Sequence, residues 1–377
     1  MTSGSGDDTK GSSKAAKTGK AGKAEPAGFW RRLLGKSSSS STGPAVPGET
    51  PLQQIPGLAR YRKERELGRG SMGAVQLVTD TQTGQQLALK MLALQREFSA
   101  DDLADVRQRF MREARAAGHL KHPDILQVLD AGEAGEDAWI VMEYVQGQDL
   151  SHFTRPGTLL PAKDVLGLVI RLARALDYAH RQGVVHRDIK PANIMLDRAN
   201  GDLKVMDFGI ARIADGSRTR TGLVLGTPSF MSPEQLAGLK VDGRSDLYSL
   251  GVMLFQLLTG QLPHQSDSMA RLMHQIANEP PPDVRHFRPD LPESLALVLA
   301  LALEKRPELR YASGEQMAQD LEAVLGQGLA REAELPPGAG TVSPSADPFA
   351  QTLRLDVPEA GQNPATPPTK ADPPPVE

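Results

Sequence analysis

The sequence predicts an α+β domain in which a strand-rich part comes first and a mainly helical part follows. Residues 75–79 and 86–92 have the composition of strands and flank a Thr-Gly turn, which is typical of an antiparallel hairpin. Residues 125–129 and 138–142 are two more strand-like runs. This first part of the domain is therefore expected to be a small antiparallel sheet.

The second observation is the helical periodicity of the later part. Apolar side chains recur three and four positions apart at Val165, Leu168, Leu172 and Leu176, which predicts an amphipathic helix from residue 164 onward. The same kind of pattern predicts later helices over residues 246–259, 294–304 and 316–325. Strands followed by helices are the order expected of an α+β protein.

Composition narrows the range of functions. The 377 residues carry a net charge of −3. The chain therefore lacks the overall positive charge that would predict a nucleic-acid partner. The chain contains no cysteine, which excludes disulfides, thiolate catalysis and Cys-ligated zinc. The longest apolar run, residues 295–303, is far shorter than the roughly 20 residues that a membrane helix needs. No N-terminal signal sequence is visible. We therefore expect a cytoplasmic protein without an integral membrane segment.

Both ends of the chain have the composition of disordered tails. Residues 1–57 are basic and rich in Gly, Ser and Lys, and residues 331–377 are rich in Pro, so neither has the apolar content of a core. Residues 29–34, Phe-Trp-Arg-Arg-Leu-Leu, are either linker or a short segment that binds a membrane or a partner. The Pro-rich tail is either a spacer or carries partner or phosphorylation sites. The predicted domain between the tails spans residues 58–330.

A short loop in this domain carries the polar groups that phosphoryl transfer requires. Asp188 supplies a carboxylate to orient and deprotonate a hydroxyl, Lys190 a cation for the transferred group, and Asn193 an amide oxygen for a metal ion. Asp207 follows in an Asp-Phe-Gly sequence and is an oxygen ligand of the kind that Mg²⁺ prefers. We therefore predict catalysis by Asp188, Lys190 and Asn193, with Mg²⁺ bound by Asn193 and Asp207.

A glycine-rich hairpin precedes this loop in the sequence. Gly68, Gly70 and Gly73 lie between two predicted strands, whereas a helix follows the glycines of a dinucleotide-binding fold. Glycines in such a hairpin allow the backbone to approach phosphates closely. Lys90 on the following strand is either a phosphate-binding cation or a lysine that keeps an edge strand soluble.

The helix predicted over residues 99–118 carries one carboxylate on its apolar stripe. Glu113 lies three residues after Phe110 on the same face. A buried carboxylate without a partner is costly, and Lys90 is the obvious partner. The alternative is that Glu113 lies at the solvated rim of the stripe.

These motifs together resemble the protein kinases. The sequence His-Arg-Asp-x-Lys-Pro-x-Asn at 186–193, Asp-Phe-Gly at 207–209, the glycine-rich hairpin and Ala-x-Lys at 88–90 occur in the kinase order. Lys190 indicates the serine/threonine branch, and Glu-Tyr-Val-Gln-Gly at 143–147 resembles its bacterial, eukaryotic-like members. The resemblance covers about residues 58–330.

The resemblance implies a two-lobed protein kinase fold. The N-lobe, residues 58–142, would hold an antiparallel sheet and one helix. A hinge at residues 143–147 would join it to a mainly helical C-lobe at residues 148–330, and ATP would bind in the cleft between the lobes. The implied function is transfer of the γ-phosphoryl group of ATP to serine and threonine hydroxyls of protein substrates in bacterial signalling.

The resemblance also implies which residues bind ATP. Met142 would be the gatekeeper, and backbone groups of Glu143 and Val145 would contact the adenine. Lys90 and Glu113 would align the phosphates. The full implied set is Leu67, Gly68, Arg69, Gly70, Ser71, Met72, Gly73, Ala74, Val75, Ala88, Lys90, Glu113, Met142, Glu143 and Val145.

Three structural residues are implied by the resemblance alone. Asp246 would anchor the backbone of the catalytic loop, Arg310 would pair with Glu234, and Thr227 would contact the catalytic Asp188. Ser-Pro-Glu at 232–234 stands where the family usually has Ala-Pro-Glu, which is a small departure.

A polar segment after the Asp-Phe-Gly sequence predicts regulation. Thr219 and Thr221 lie in it, and Arg187 precedes the catalytic aspartate, so phosphorylation of either threonine would give Arg187 an anionic partner. We expect autophosphorylation there, and a phosphothreonine-reading protein is then a candidate partner. The alternative is that these threonines only keep the loop polar.

Two other functions remain open at this level. The first is a nucleotide-binding signalling scaffold that acts through its tails. The second is a small-molecule phosphotransferase on the same fold, although the position of Lys190 and residues 226–234 favour a protein substrate. The sequence makes no prediction of the oligomeric state.

Overall fold

A computed structural model of the protein describes residues 52–70, 73–98, 100–135, 137–208 and 228–327. Most of both predicted tails, and the polar segment before residue 228, lie outside these residues. The described residues form the two lobes expected from the sequence, which confirms the predicted kinase fold.

The N-lobe is built on a five-stranded antiparallel sheet with the strand order β1-β2-β3-β5-β4. Its strands are β1 (Tyr61–Gly70), β2 (Gly73–Asp80), β3 (Gln86–Leu92), β4 (Val128–Ala134) and β5 (Asp137–Glu143). Strand β3 pairs with β2 on one side and β5 on the other. Lys90 is therefore held in the middle of the sheet, which excludes an edge-strand role.

One long helix packs against this sheet. The short helix α1 (Leu94–Glu97) precedes helix α2 (Leu103–His119), and Val106 and Phe110 of α2 are buried against β5. The predicted helix start at residue 99 is wrong. Asp102 occupies the N-cap position of α2. The short helix α1 forms separately before it, because Leu94 is buried in the same apolar cluster as α2.

A second, three-stranded sheet begins the C-lobe, in the order β6-β7-β8. Its strands are β6 (Gln148–Asp149), β7 (Ile194–Asp197) and β8 (Asp202–Val205). The hinge reaches it through Gly147, which has φ 131° and whose added Cβ would lie 2.5 Å from the Leu196 carbonyl oxygen. Only glycine fits this close approach of the hinge to β7.

The predicted strand at residues 125–129 is wrong in its first half. Ile125 and Leu126 are buried, and the Leu126 N–H donates to the Val205 carbonyl at 2.9 Å. This stretch therefore joins the segment between α2 and β4 to the C-lobe strand β8, and β4 begins only at Val128. Burial at the junction of the lobes outweighs the local strand preference.

The rest of the C-lobe is helical. Its helices are α3 (Ala162–Arg181), α4 (Pro233–Leu236), α5 (Gly243–Thr259), α6 (Met269–Asn278), α7 (Glu293–Ala302) and α8 (Gly314–Gly326). Helix α5 is buried along nearly its whole length and packs against α3 and α7. It begins at Asp242, which accepts the Arg244 N–H at 3.0 Å, and ends at Gly260 with φ 75°. In the parts of the chain that the structure describes, no helix is both long and apolar enough to cross a bilayer.

The predicted boundary of the N-terminal tail at residue 57 is too late. Leu52, Ile55 and Leu58 are buried against the sheet together with Trp139. Their apolar side chains cover Trp139, which remains only 3 % exposed. Residues 52–57 therefore belong to the folded part, and the sequence prediction missed them because two apolar residues, Leu52 and Ile55, are too few to give a periodic signal.

A buried ion pair connects two distant parts of the C-lobe, as the family resemblance implied. Arg310 donates to Glu234 from Nη1 and Nη2 at 2.7 and 2.8 Å, and both side chains are almost fully buried. Burial alone would raise the pKa of Glu234, but hydrogen bonds from Arg310 and Ser245 lower it below its ordinary value. Breaking such a pair leaves an uncompensated buried charge.

Arg310→Met is expected to lower the free energy of unfolding by about 3–5 kcal/mol, because Glu234 then lacks its cation. Arg306→Met is the matched control, since its pair with Glu308 is exposed and should cost under about 1 kcal/mol. Urea denaturation of the full chain measures both. Equal midpoints for the two variants would contradict the expectation.

The stabilisation by this pair also depends on pH, because the pKa of Glu234 is lower in the folded protein than in the unfolded chain. The stabilisation is full above the ordinary pKa of a glutamate and is lost as pH falls through the lowered value.

Candidate active site

The catalytic loop brings three of the predicted residues into direct contact. Lys190 Nζ lies 2.7 Å from Asp188 Oδ2, and Asn193 Nδ2 donates to the same oxygen at 2.9 Å and to the Asp188 carbonyl at 2.7 Å. The loop closes in a short 3-10 turn at Pro191–Asn193, which brings Asn193 back towards Asp188. The Asp188 carboxylate is thus oriented by a cation and an amide, and its side chain stays 25 % exposed.

A strained backbone residue shapes this loop. Arg187 has φ 67°, in the left-handed region, where a residue other than glycine costs on the order of 1–2 kcal/mol. Asp246, which is fully buried on α5, accepts the N–H groups of His186 at 2.8 Å and of Arg187 at 2.7 Å. The His180 ring on α3 donates to the same carboxylate at 2.8 Å. Three donors thus compensate the buried charge, and the carboxylate holds the strained conformation.

The loop is tied to the Asp-Phe-Gly segment by a histidine ring. His186 Nε2 lies 2.7 Å from the Met206 carbonyl, which can only accept, so this nitrogen is the donor. His186 Nδ1 then accepts the Asp188 N–H at 3.2 Å. The ring also packs edge-on against the Phe208 ring, with 4.6 Å between the two ring centroids. One residue therefore fixes the distance between the loop that carries Asp188 and the strand end that carries Asp207.

Asp207 faces the N-lobe lysine across the cleft. Lys90 Nζ lies 3.2 Å from Asp207 Oδ1, and the lysine side chain is only 4 % exposed. Asp207 also has a left-handed backbone, with φ 58°. Residues 117 positions apart in the sequence thus meet at the junction of the lobes.

Glu113 lies on the α2 face next to the buried Ala114, with its side chain 13 % exposed. In this structure Glu113 Oε1 lies 3.4 Å from Arg112 Nη2, while Lys90 Nζ contacts Asp207 Oδ1. The side chain is therefore largely buried rather than at a solvated rim. The predicted pairing of Glu113 with Lys90 stays a prediction.

An apolar cluster connects the hinge region to both lobes. Met142 and Val145 belong to it, as do Ala88 and Met206, which lie within two residues of Lys90 and Asp207 in the sequence. Apolar side chains of this kind line the pockets that bind flat aromatic rings. The cluster consists of Leu67, Val75, Leu77, Ala88, Leu126, Met142, Val145, Met195 and Met206.

The glycine-rich hairpin forms as predicted, with Gly68 opposite Val75 and Gly70 opposite Gly73. An added Cβ on Gly73, which has φ 141°, would lie 1.9 Å from the Met91 carbonyl oxygen. The hairpin therefore needs glycine there for its own packing on β3. Arg69 pairs with Glu66 at 2.7 Å, and Ala74 is buried. Ser71 and Met72 lie outside the described residues.

Most of the hydrogen-bonding groups of the hinge residue Glu143 have partners within the protein. Its N–H donates to the Gln127 carbonyl at 3.0 Å, and its carboxylate accepts the Gln127 N–H and the Lys204 ammonium, both at 2.8 Å. The predicted adenine contact from Glu143 can therefore come only from its carbonyl.

Two residues that support the loop, one by direct contact and one through Asp246, were not anticipated from the sequence. Gln235 Nε2 donates to the Arg187 carbonyl at 2.8 Å, and His180 bonds Asp246. The capping-box spacing of Ser232 and Gln235 could have drawn attention to Gln235, whereas nothing in the sequence of α3 distinguishes His180. The predicted regulatory residues Thr219 and Thr221, and Thr227, lie outside the described residues.

The site contains few ligands for a cation. Among the described residues, no group of three His, Asp or Glu side chains is arranged to hold a metal ion. Asn193 uses its amide nitrogen for Asp188, which leaves its oxygen for a cation, and Asp207 supplies a second oxygen. Two protein oxygens suit a divalent ion that keeps other ligands from phosphate and water.

Comparison with known proteins agrees with this geometry. The protein kinase domain family matches residues 61–321. The chain is 43 % identical over 285 residues to the serine/threonine-protein kinase PknJ of Mycobacterium tuberculosis, which covers 74 % of this chain and 47 % of PknJ. It is 36 % identical over 314 residues to PknA of the same species, covering 81 % of this chain and 71 % of PknA.

A solved structure gives the same result. The crystal structure of the PknI kinase domain of Mycobacterium tuberculosis has 35 % sequence identity and a TM-score of 0.56, covering 71 % of this chain and 96 % of that domain. The chain spans less than half the length of several relatives it matches, including PknJ and Pkn1 of Myxococcus xanthus. Protein kinases use ATP and a divalent metal ion. The chain therefore belongs to the protein kinase family, in its bacterial serine/threonine branch.

Proposed function

We propose that this protein transfers the γ-phosphoryl group of ATP to serine and threonine hydroxyls of protein substrates in bacterial signalling. The observation that carries the proposal is the arrangement around Asp188. Lys190 and Asn193 both contact its Oδ2 oxygen, which leaves Oδ1 to accept a proton from a substrate hydroxyl.

The other residues have matching roles. Lys190 lies where it can neutralise the charge of a phosphoryl group as the group reaches the hydroxyl at Asp188. Asn193 and Asp207 supply the oxygens for Mg²⁺, which when bound would neutralise charge on the phosphates. The apolar cluster that contains Met142 and Val145 would hold the adenine, with the glycine-rich hairpin over the phosphates.

Lys90 has a double role in this proposal. In this structure Lys90 Nζ lies 3.2 Å from Asp207 Oδ1, so each charge has a partner. With nucleotide bound, Lys90 would contact the phosphates and pair with Glu113, and Asp207 would be free to serve as a metal ligand. The largely buried position of Glu113 supports this exchange.

A complete set of catalytic groups speaks against a scaffold that only binds nucleotide. Use of ATP and the absence of cysteine suit a reducing, cytoplasmic location. We also propose that Thr219 and Thr221 are autophosphorylated and that the phosphate pairs with Arg187. A phosphothreonine-reading protein is then a partner of the active form.

Asp188→Asn is expected to lower kcat by about 10²–10⁴-fold, because an amide cannot take the hydroxyl proton. Transfer of labelled phosphate from ATP to a generic basic protein measures the effect. Asp202→Asn, at an exposed position on β8, is the control and should keep wild-type activity. An Asp188→Asn variant as active as the wild type would end the proposal. Labelling of small molecules but not of protein would favour the small-molecule phosphotransferase.

Lys90→Met is expected to reduce phosphate transfer by on the order of 100-fold, because the phosphates lose a positioned cation. Lys163→Met, at the exposed start of α3, removes the same charge away from the site and serves as the control. Steady-state kinetics with ATP as the varied substrate measure both variants. Equal activity of the two would show that Lys90 does not contact the phosphates.

Incubation of the purified protein with ATP is expected to add phosphate to Thr219 or Thr221, because the loop lies in the same chain as the catalytic groups. Mass spectrometry of the digested protein detects the added mass, and Asp188→Asn supplies the unphosphorylated reference. Threonines that stay unmodified in a fully active enzyme would refute autophosphorylation at these positions.

A further inference from the structure

The side chain of Gln235 bridges two parts of the active site. It occupies the third position after the N-cap Ser232 of helix α4. Its Oε1 accepts the Ser232 N–H at 3.1 Å, which completes a capping box, and its Nε2 donates to the Arg187 carbonyl at 2.8 Å. The two ends of one amide thus join the start of α4 to the catalytic loop.

The acceptor of this bond belongs to the strained residue of the loop. Arg187 has φ 67°, and Asp246 of α5 accepts its N–H at 2.7 Å. Gln235 of α4 donates to its carbonyl at 2.8 Å. A left-handed conformation persists only where the surroundings fix it, and here two helices do so.

The held carbonyl belongs to the peptide unit that leads into Asp188. Rotation of this unit would turn the Asp188 N–H away from His186 Nδ1, which accepts it at 3.2 Å, and would move the carboxylate with it. A displacement of about 1 Å at a reacting group lowers rates strongly. The bond from Gln235 therefore bears on catalysis through the Arg187 carbonyl.

Helix α4 is itself a firm support. The residue before Gln235 is Glu234, whose buried pair with Arg310 fixes α4 to the C-lobe. The capping box fixes its first turn, and for this purpose glutamate serves as well as glutamine. Only the bond to Arg187 requires an amide N–H, so the residue type points to the cross-contact rather than to the cap.

We propose that Gln235 is a positioning residue for the phosphoryl transfer. It holds the Arg187–Asp188 peptide unit, and with it the Asp188 carboxylate, in the orientation that accepts the substrate proton. It also links the end of the segment that precedes α4 to the catalytic loop. This inference rests on the proposed role of Asp188.

The test compares Gln235→Glu with a matched control in the full chain. Glutamate keeps the shape and the cap but replaces the donor with a second acceptor facing a carbonyl. Gln316→Glu makes the same change at an exposed capping position, where Gln316 Oε1 accepts only the Ala312 N–H at 3.1 Å at the start of α8. We expect kcat of Gln235→Glu to fall about tenfold or more, while KM for ATP and the melting temperature match those of Gln316→Glu.

A pH profile supplies a readout that a purely structural role would not change. A protonated glutamic acid has an O–H that can donate to the Arg187 carbonyl, whereas the carboxylate cannot. The kcat of Gln235→Glu, relative to wild type at the same pH, should therefore rise as pH falls towards the pKa of the introduced carboxyl. The ratio for Gln316→Glu should stay flat.

Each remaining outcome contradicts the inference. A kcat of Gln235→Glu equal to that of the control, or a fall in kcat matched by losses of ATP affinity and melting temperature, would overturn it. Asp188→Asn, assayed alongside, separates the two proposals. Full activity of that variant refutes the function itself. An inactive Asp188→Asn with a normal Gln235→Glu refutes only the positioning role.

Discussion

The structure depends most on one buried carboxylate, Asp246. It is fully buried in the first turn of α5, the helix around which the C-lobe packs, where an unpaired charge would be costly. Its three donors come from the catalytic loop and from α3, so the charge is tolerated only while the loop adopts one shape. The core and the catalytic geometry are therefore coupled: the loop stabilises the buried charge, and the charge holds the strained Arg187.

A second constraint acts across the cleft. Lys90 belongs to the N-lobe sheet and Asp207 to the C-lobe, and their contact is one of the charged links between the lobes, beside Arg171–Asp124 and Lys204–Glu143. Two buried opposite charges attract strongly at low dielectric, and neither is easily returned to water. In the proposed function, Lys90 would instead contact phosphates and Asp207 a metal ion, so each charge would keep a neutralising partner.

The sequence predicted the family, the order of the lobes and the residues of the catalytic loop, because these are local patterns of residue types at fixed spacing. It was less successful where tertiary packing decided the outcome. Leu126 was assigned to a strand but joins the C-lobe, and α2 starts later because Leu94 of α1 enters its cluster. Lys90 and Asp207 are both expected at the nucleotide, but the sequence pairs Lys90 with Glu113. The direct contact of Lys90 with Asp207, across 117 positions, depends on the arrangement of the lobes. The sequence signal at Gln235 is the capping-box spacing from Ser232, which many helices share.

The buried indole of Trp139 has a consequence for the minimal folded unit. An added Cβ on Gly57 would lie 2.6 Å from its Cζ2 atom and one on Gly132 would lie 2.4 Å from the same atom, so the ring packs closely against both glycines. Leu52 and Ile55 cover the same cluster from the N-terminal side. A truncated protein beginning at residue 58, the boundary that sequence motifs suggest, would lose this cover and expose an aromatic surface on the back of the sheet. Aggregation of such a fragment would then be caused by the missing cover and not by a defect in the C-lobe.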